Sequence, residues 1–284
     1  MSGNNFKVTR PAHNVPVQQA KRYTPVGCCI YCGAREWSPG RARKLGDEHI
    51  VPEGLGGKLL LPECACQACE KATSQVELEC LRGGFFAARV QKGFGKKKRR
   101  EPRYLPLSIQ IGNRTVVELI PVEKYPAIIV TFLFDVPDVL LDVAPTTKCL
   151  SGGVAIGVLP TFGKLLAKYL SQGSISFVPP RVTATSQHLG RMLAKIAHSY
   201  AVAERGLDGF VPFLPPIILG KDIRYIARYV GGTREIPQRA PEHYQLRLKS
   251  VQSLSGQSYL TAIIRLFSDI QGMPEYWVVV GQEQ

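Results

Sequence analysis

Two Cys-x-x-Cys pairs, Cys29/Cys32 and Cys66/Cys69, constrain this chain more than any other feature. Four thiolates in two matched pairs are the usual ligand set of a structural zinc, which would clamp two distant segments of a unit too small to build much core. The loop they close holds the run Gly46-Asp47-Glu48-His49-Ile50-Val51-Pro52, followed by Gly56-Gly57. An acid next to a histidine inside such a loop is what a metal-dependent nuclease needs.

Which chemistry the cysteines adopt depends on compartment. The N-terminus has no apolar core of signal-peptide length, and the longest apolar stretch, 127–144, is broken by Asp135, Pro137, Asp138 and Asp142. The expectation is a soluble, cytoplasmic protein with no membrane partner, where paired cysteines serve as metal ligands more readily than as disulfides. Cys28, Cys64, Cys80 and Cys149 are left as packed or free thiols, although Cys28 and Cys64 lie near enough to the ligand pairs to replace a member.

With 284 residues and 45% hydrophobic content, two domains with ordinary cores are expected. Residues 1–26, with Pro11, Pro16 and Pro25 among polar residues, read as a loosely ordered arm. Residues 27–90 form the cysteine unit, 91–101 a basic linker and 102–284 a second domain. Residues 1–100 hold 18 Lys and Arg against 8 Asp and Glu, a surplus of +10 out of the total +14. The basic half is therefore the cysteine half, and such a surplus attracts polyanions in a salt-dependent way.

Beyond residue 101 the pattern becomes mixed. Residues 108–111 and 114–119 flank Gly112-Asn113, a two-residue hairpin signal. Residues 243–251 alternate as a half-buried strand, while 258–267 and 276–280 are uniformly apolar and suit inner strands or a buried helical turn. Residues 188–205 place Leu189, Met192, Leu193, Ile196, Ala197 and Tyr200 at helical spacing, with Gly206 as the C-cap and His198 at the stripe's edge as a core residue. No phosphate loop, nucleophile elbow or internal repeat is present. The fold class is α+β: a small N-terminal zinc-stapled unit followed by a mixed α+β domain.

Zinc held by four thiolates is closed to substrate, so chemistry must come from the loop between them. Hydrolysis of a phosphodiester needs a base for water and a cation for the developing charge. His49 suits the first task, and Glu48 offers a hard oxygen for the second. On a strand the two point to opposite sides, so the strand must bend or end there, as Pro52 and Gly54 suggest.

The order Cys29-Ile30-Tyr31-Cys32-Gly33, Asp47-Glu48-His49-Ile50-Val51-Pro52, Leu55-Gly56-Gly57 and Cys66-Gln67-Ala68-Cys69 resembles the HNH endonucleases of the ββα-metal fold that carry an added four-cysteine zinc site. The resemblance implies that His49 is the general base, that Glu48 is the first ligand of a catalytic Mg²⁺ or Mn²⁺, and that Glu70 completes that site. The family commonly has Asn or His where Glu70 stands. Its middle Asn corresponds to a place near Glu63, which departs from the pattern. The resemblance also implies a helix over 67–81 with Ala68, Ala72, Val76 and Cys80 inward, stopped by Gly83-Gly84.

Arg41, Arg43, Lys44 and Lys58, with Arg35 nearby and Lys96, Lys97, Lys98, Arg99 and Arg100 behind, are expected to hold phosphates of nucleic acid, DNA in the leading reading, without reading sequence. Trp37 suits either base stacking or a local hydrophobic anchor. The expected function is a metal-dependent endonuclease. The alternative is a catalytically degenerate, zinc-dependent nucleic-acid-binding protein. For the second domain three roles stay open: target specificity, a homodimer contact or a protein partner.

Overall fold

The computed structural model describes residues 13–14, 19–40, 43–94, 103–121, 124–125, 128–158, 175–177 and 185–283. The class is α+β, as the sequence indicates.

The chain begins with two short strands, β1 (His13–Asn14) and β2 (Lys21–Arg22), and then enters a compact ββα arrangement. β3 (Gly46–His49) and β4 (Leu59–Ala65) pair antiparallel, and α1 (Gln67–Arg82) follows almost at once. β2 adds to β4 in parallel, and Tyr23, Val26 and Gly27 continue hydrogen bonding along β4, so the described part of the arm is not loose. A bulge shapes this hairpin: between the pairs Gly46↔Ala65 and Glu48↔Leu61, β3 advances two residues while β4 advances four. The slack is taken up at Glu63, whose φ of 48° lies in the left-handed region. The second glycine of Gly56-Gly57 is required by close approach, because a Cβ on Gly57 would stand 1.8 Å from the carbonyl oxygen of Val51.

α1 buries Cys69, Thr73, Val76, Cys80 and Leu81. Ala68, expected inward, is exposed, and Ala72 is only half-buried. The phase is set by Cys69, which must face the other cysteines, and Thr73 fits the apolar side by donating its hydroxyl to the carbonyl of Cys69 at 3.2 Å. A short helix, α2 (Phe86–Gln91), occupies the approach to the basic segment.

β5 (Tyr104–Ile111) and β6 (Arg114–Pro121) form the hairpin expected around Gly112-Asn113, with β9 (Ile175–Phe177) on the other edge of β5. β7 (Ile128–Phe134) and β8 (Gly152–Val158) make a separate two-stranded ribbon. The main sheet runs β1, β12 (Tyr244–Gln252), β13 (Ser258–Leu266), β14 (Tyr276–Glu283), with β10 (Phe210–Pro212) and β11 (Val230–Gly232) both pairing with β14. The two uniformly apolar runs are thus inner strands. β12 keeps the expected alternation, while β13 is buried on both faces from Leu260 to Leu266.

The long helix α3 (Ser186–Arg205) explains the burial of β13. The stripe read from the sequence is one side of a helix buried all around, with residues from Leu189 to Val202 sealed except at Arg191. It lies between β13 and β14 on one side and α1 on the other. Its N-terminus is closed by a capping box in which the Thr185 hydroxyl accepts from the His188 N–H. Two short helices, α4 (Pro215–Ile218) and α5 (Ile226–Tyr229), complete its surroundings. One cluster of buried side chains extends from Cys29 through α3 to Val280, so the expected division at residues 90 and 102 does not interrupt the core. No helix among the described residues is long and apolar enough to cross a membrane.

Candidate metal centre and functional site

The Cys29–Cys32 turn is built by backbone bonds: the Gly33 N–H reaches the Cys29 carbonyl at 2.8 Å and the Cys29 N–H the Ala34 carbonyl at 2.7 Å. Gly33 takes a φ of 77°, which a side chain would resist. Cys66 is the N-cap of α1 and Cys69 sits in its first turn. Positive partial charge at a helix N-terminus favours thiolates there. The ligand sulfurs of Cys29, Cys32, Cys66 and Cys69 all lie within 4.8 Å of one another, and Cys32 and Cys66 stand 3.6 Å apart. A tetrahedral ion with metal–sulfur bonds of about 2.3 Å needs sulfurs about 3.8 Å apart. The cluster fits a structural metal ion such as zinc. A hydrogen bond from Cys69 holds the Cys29 thiol down at about 4, while the same bond pushes Cys69 up.

The other cysteines stay outside this group. Cys64 is buried and donates its thiol to the Leu61 carbonyl at 3.0 Å, and burial pushes its pKa up. Cys28 is half-buried, Cys80 lies in the α1 core and Cys149 is exposed.

The two residues between Cys29 and Cys32 are core residues. Ile30 and Tyr31 are 4% and 5% exposed and point toward α3. The Ile30 carbonyl accepts from His198 Nε2 at 2.8 Å, and the Tyr31 hydroxyl lies 3.2 Å from Ser199 Oγ and donates to Glu48 Oε2 at 2.9 Å. His198 is the core histidine the sequence suggests.

β3 sends Glu48 inward and leaves Asp47 exposed and His49 half-buried, as strand alternation requires. Glu48 Oε1 is paired with Lys195 Nζ of α3 at 2.7 Å. The same ammonium pairs with Glu77 Oε1 of α1 at 2.7 Å and donates to the His49 carbonyl. Burial pushes Glu48 up against the pull of Lys195; burial pushes Lys195 down, but the two carboxylates outweigh it and hold it above the ordinary lysine range.

These contacts decide the fit of a catalytic divalent ion. Both Glu48 oxygens are engaged, one by an ammonium and one by a phenol. Glu70 is half-buried in the first turn of α1, its Oε2 packed against Gly46. Among the described residues, the only trio or larger group of His, Cys, Asp or Glu with ligand atoms within 4.8 Å is the four cysteines. Glu48, His49 and Glu70 are therefore not brought together as a divalent-ion site. Glu63 faces Lys44 at 2.6 Å, and its N–H is held by Asp47 Oδ1 at 3.1 Å, so Asp47 fastens the bulge.

His49 differs from these. Its Nδ1 is buried and has no hydrogen-bond partner, an orphaned polar atom of the kind that a water or a ligand satisfies.

The basic residues are partly committed. The Arg43 guanidinium lies 4.4 Å from the ring centre of Trp37, which is 7% exposed and a local anchor. Lys44 is the partner of Glu63, and Lys58 is exposed beside β4, its backbone N–H bonded to the Tyr244 hydroxyl at 3.2 Å. Arg41 and Lys96, Lys97, Lys98, Arg99 and Arg100 lie outside the described residues. Sequence reasoning missed Lys195, Tyr31, Glu77 and Ser199. A lysine inside the apolar stripe of residues 188–205 was the available signal, because a buried ammonium requires acidic partners.

The class defined by this geometry is a ββα unit clamped by four cysteines and built into a larger α+β core. No family model, curated protein or solved structure matches the chain.

Proposed function

We propose that this protein is a nucleic-acid phosphodiesterase of the HNH type, with zinc as the structural ion of the four cysteines and His49 as the base that activates water. The observation that carries the reading is His49 itself: it ends β3 of a cysteine-clamped ββα unit, half-buried, with an unpartnered ring nitrogen. An imidazole takes a proton from water near neutral pH, and the inline attack that follows needs only its reach and orientation from the protein. The surplus of positive charge in residues 1–100 supports a polyanionic substrate. No step runs through a divalent ion held by Glu48, whose oxygens are occupied.

A second reading is favoured by that same occupancy: nucleic-acid binding without hydrolysis, on a scaffold that has given up its acid. The test is cleavage of supercoiled plasmid by wild type and His49→Ala in Mg²⁺, in Mn²⁺ and in EDTA. The expected result is nicking by wild type that falls at least ~100-fold in the variant, in line with loss of a general base, at unchanged zinc content. Equal nicking by both proteins would refute His49 as the base, and retention of plasmid without nicking would establish the binding reading.

A further inference from the structure

Glu48 is the residue that HNH-type chemistry would give to a cation, and in this fold a cation already holds it. Lys195 has 2% of its side chain exposed and Glu48 11%, with 2.7 Å between Nζ and Oε1. The ammonium's protons go to Glu48, to Glu77 and to the His49 carbonyl, with the Ile50 carbonyl at 3.5 Å. Tyr31 takes the second oxygen of Glu48 and stands beside Ser199, which donates to the Lys195 carbonyl at 2.8 Å. Three segments thus converge on one charge: the Cys29–Cys32 turn, the end of β3 and the middle of α3.

Electrostatics make this arrangement exclusive. A buried carboxylate needs a compensating charge, and one ammonium at contact distance supplies it. A divalent ion on the same oxygens would face that ammonium across a few ångströms of low-dielectric interior. We infer that Glu48 is the counter-ion of Lys195 rather than a divalent-metal ligand, the buried ammonium serving as the internal cation that joins the cysteine unit to α3. The lysine in the apolar stripe of α3 is then explained by what it meets, and the acid before His49 is retained as a fold contact.

The experiment is titration of the zinc-loaded full chain with Mn²⁺, followed by electron paramagnetic resonance of the free ion, for wild type and Glu48→Gln. Identical curves are expected. A Mn²⁺ ion bound by wild type and lost in Glu48→Gln would overturn the assignment. A thermal double-mutant cycle on Glu48→Gln and Lys195→Met provides the second reading. Each single change is expected to lower the melting temperature by on the order of 10 °C, because each strands a buried charge. The double variant should lose clearly less than the sum, and strictly additive losses would refute the pairing. If Lys195→Met does not fold, the Mn²⁺ comparison still decides the matter. The assignment is separate from hydrolysis: it stands for an inactive protein, and it falls to Glu48-dependent Mn²⁺ binding even if plasmid is cleaved.

Discussion

Two histidines meet the cysteine unit and experience opposite surroundings. His49 closes a strand at the surface side, whereas His198 is 0% exposed within α3 and donates from Nε2 to the Ile30 carbonyl at 2.8 Å. Burial pushes the His198 pKa down to about 4, so the folded protein keeps it neutral. An unfolded chain binds that proton near pH 6.5. Between these values the unfolded state holds more protons, so stability rises with pH: the contribution is complete above about pH 6.5 and lost as pH falls through 4. The shift corresponds to roughly 3 kcal/mol. Urea unfolding of zinc-loaded wild type and His198→Gln at pH 7.5 and pH 5 checks this. The variant should lose less stability on acidification, and equal losses would assign the acid sensitivity to protonation of the cysteines. At this scale the four cysteines and the core role of His198 were legible, since spacing and apolar neighbours are local signals. Lys195 was not, because Glu48 and Glu77 become its partners only when distant segments pack.

Elements were legible where their pattern is local. The Gly112-Asn113 turn, the alternation of β12 and the start of α1 after Cys66 all follow from short-range chemistry. The burial of α3 on every side did not, because which faces of a helix are covered depends on what packs from elsewhere. The loop after β3 lies between these cases: its glycines were visible, their reasons were not. Gly56 is needed for its φ of 76°, while Gly57 is needed for space, with the Val51 carbonyl 1.8 Å from where a Cβ would stand. Gly57→Ala must therefore displace backbone and should cost about 3 kcal/mol, the upper end of ordinary overpacking. Gly56→Ala adds left-handed strain of about 1 kcal/mol and pushes on the movable ring of Phe94. Urea midpoints of the two variants should fall in that order, and a Gly57→Ala protein as stable as wild type would show that the loop does not need the close approach.

At the scale of the whole molecule, the continuity of the core determines how the protein should lose its structure. The sequence divides at a basic segment, yet the described residues on either side of it are tied together: Lys92 pairs with Asp269, Phe94 packs edge-on against His243, and β1 adds to β12. α3 rests on α1 and on the main sheet at once, and its Lys195 and His198 hold the backbone of His49 and Ile30. Removing one cysteine ligand therefore should not release a small unit from an otherwise intact domain. Loss of the bound ion frees the Cys29–Cys32 turn, withdraws Ile30 and Tyr31 from α3, and leaves Lys195 facing carboxylates no longer held in place. Cys66→Ser is expected to lose zinc and also most amide-exchange protection in α3 and β13, far from the substitution, and to melt in a single transition well below wild type. Hydrogen exchange read by mass spectrometry separates the alternatives. Protection lost only in residues 27–90, with α3 and β13 unchanged, would mean that two folding units share a surface; protection lost in all three would mean that the cysteine clamp and the sheet stabilise one another through the helix between them.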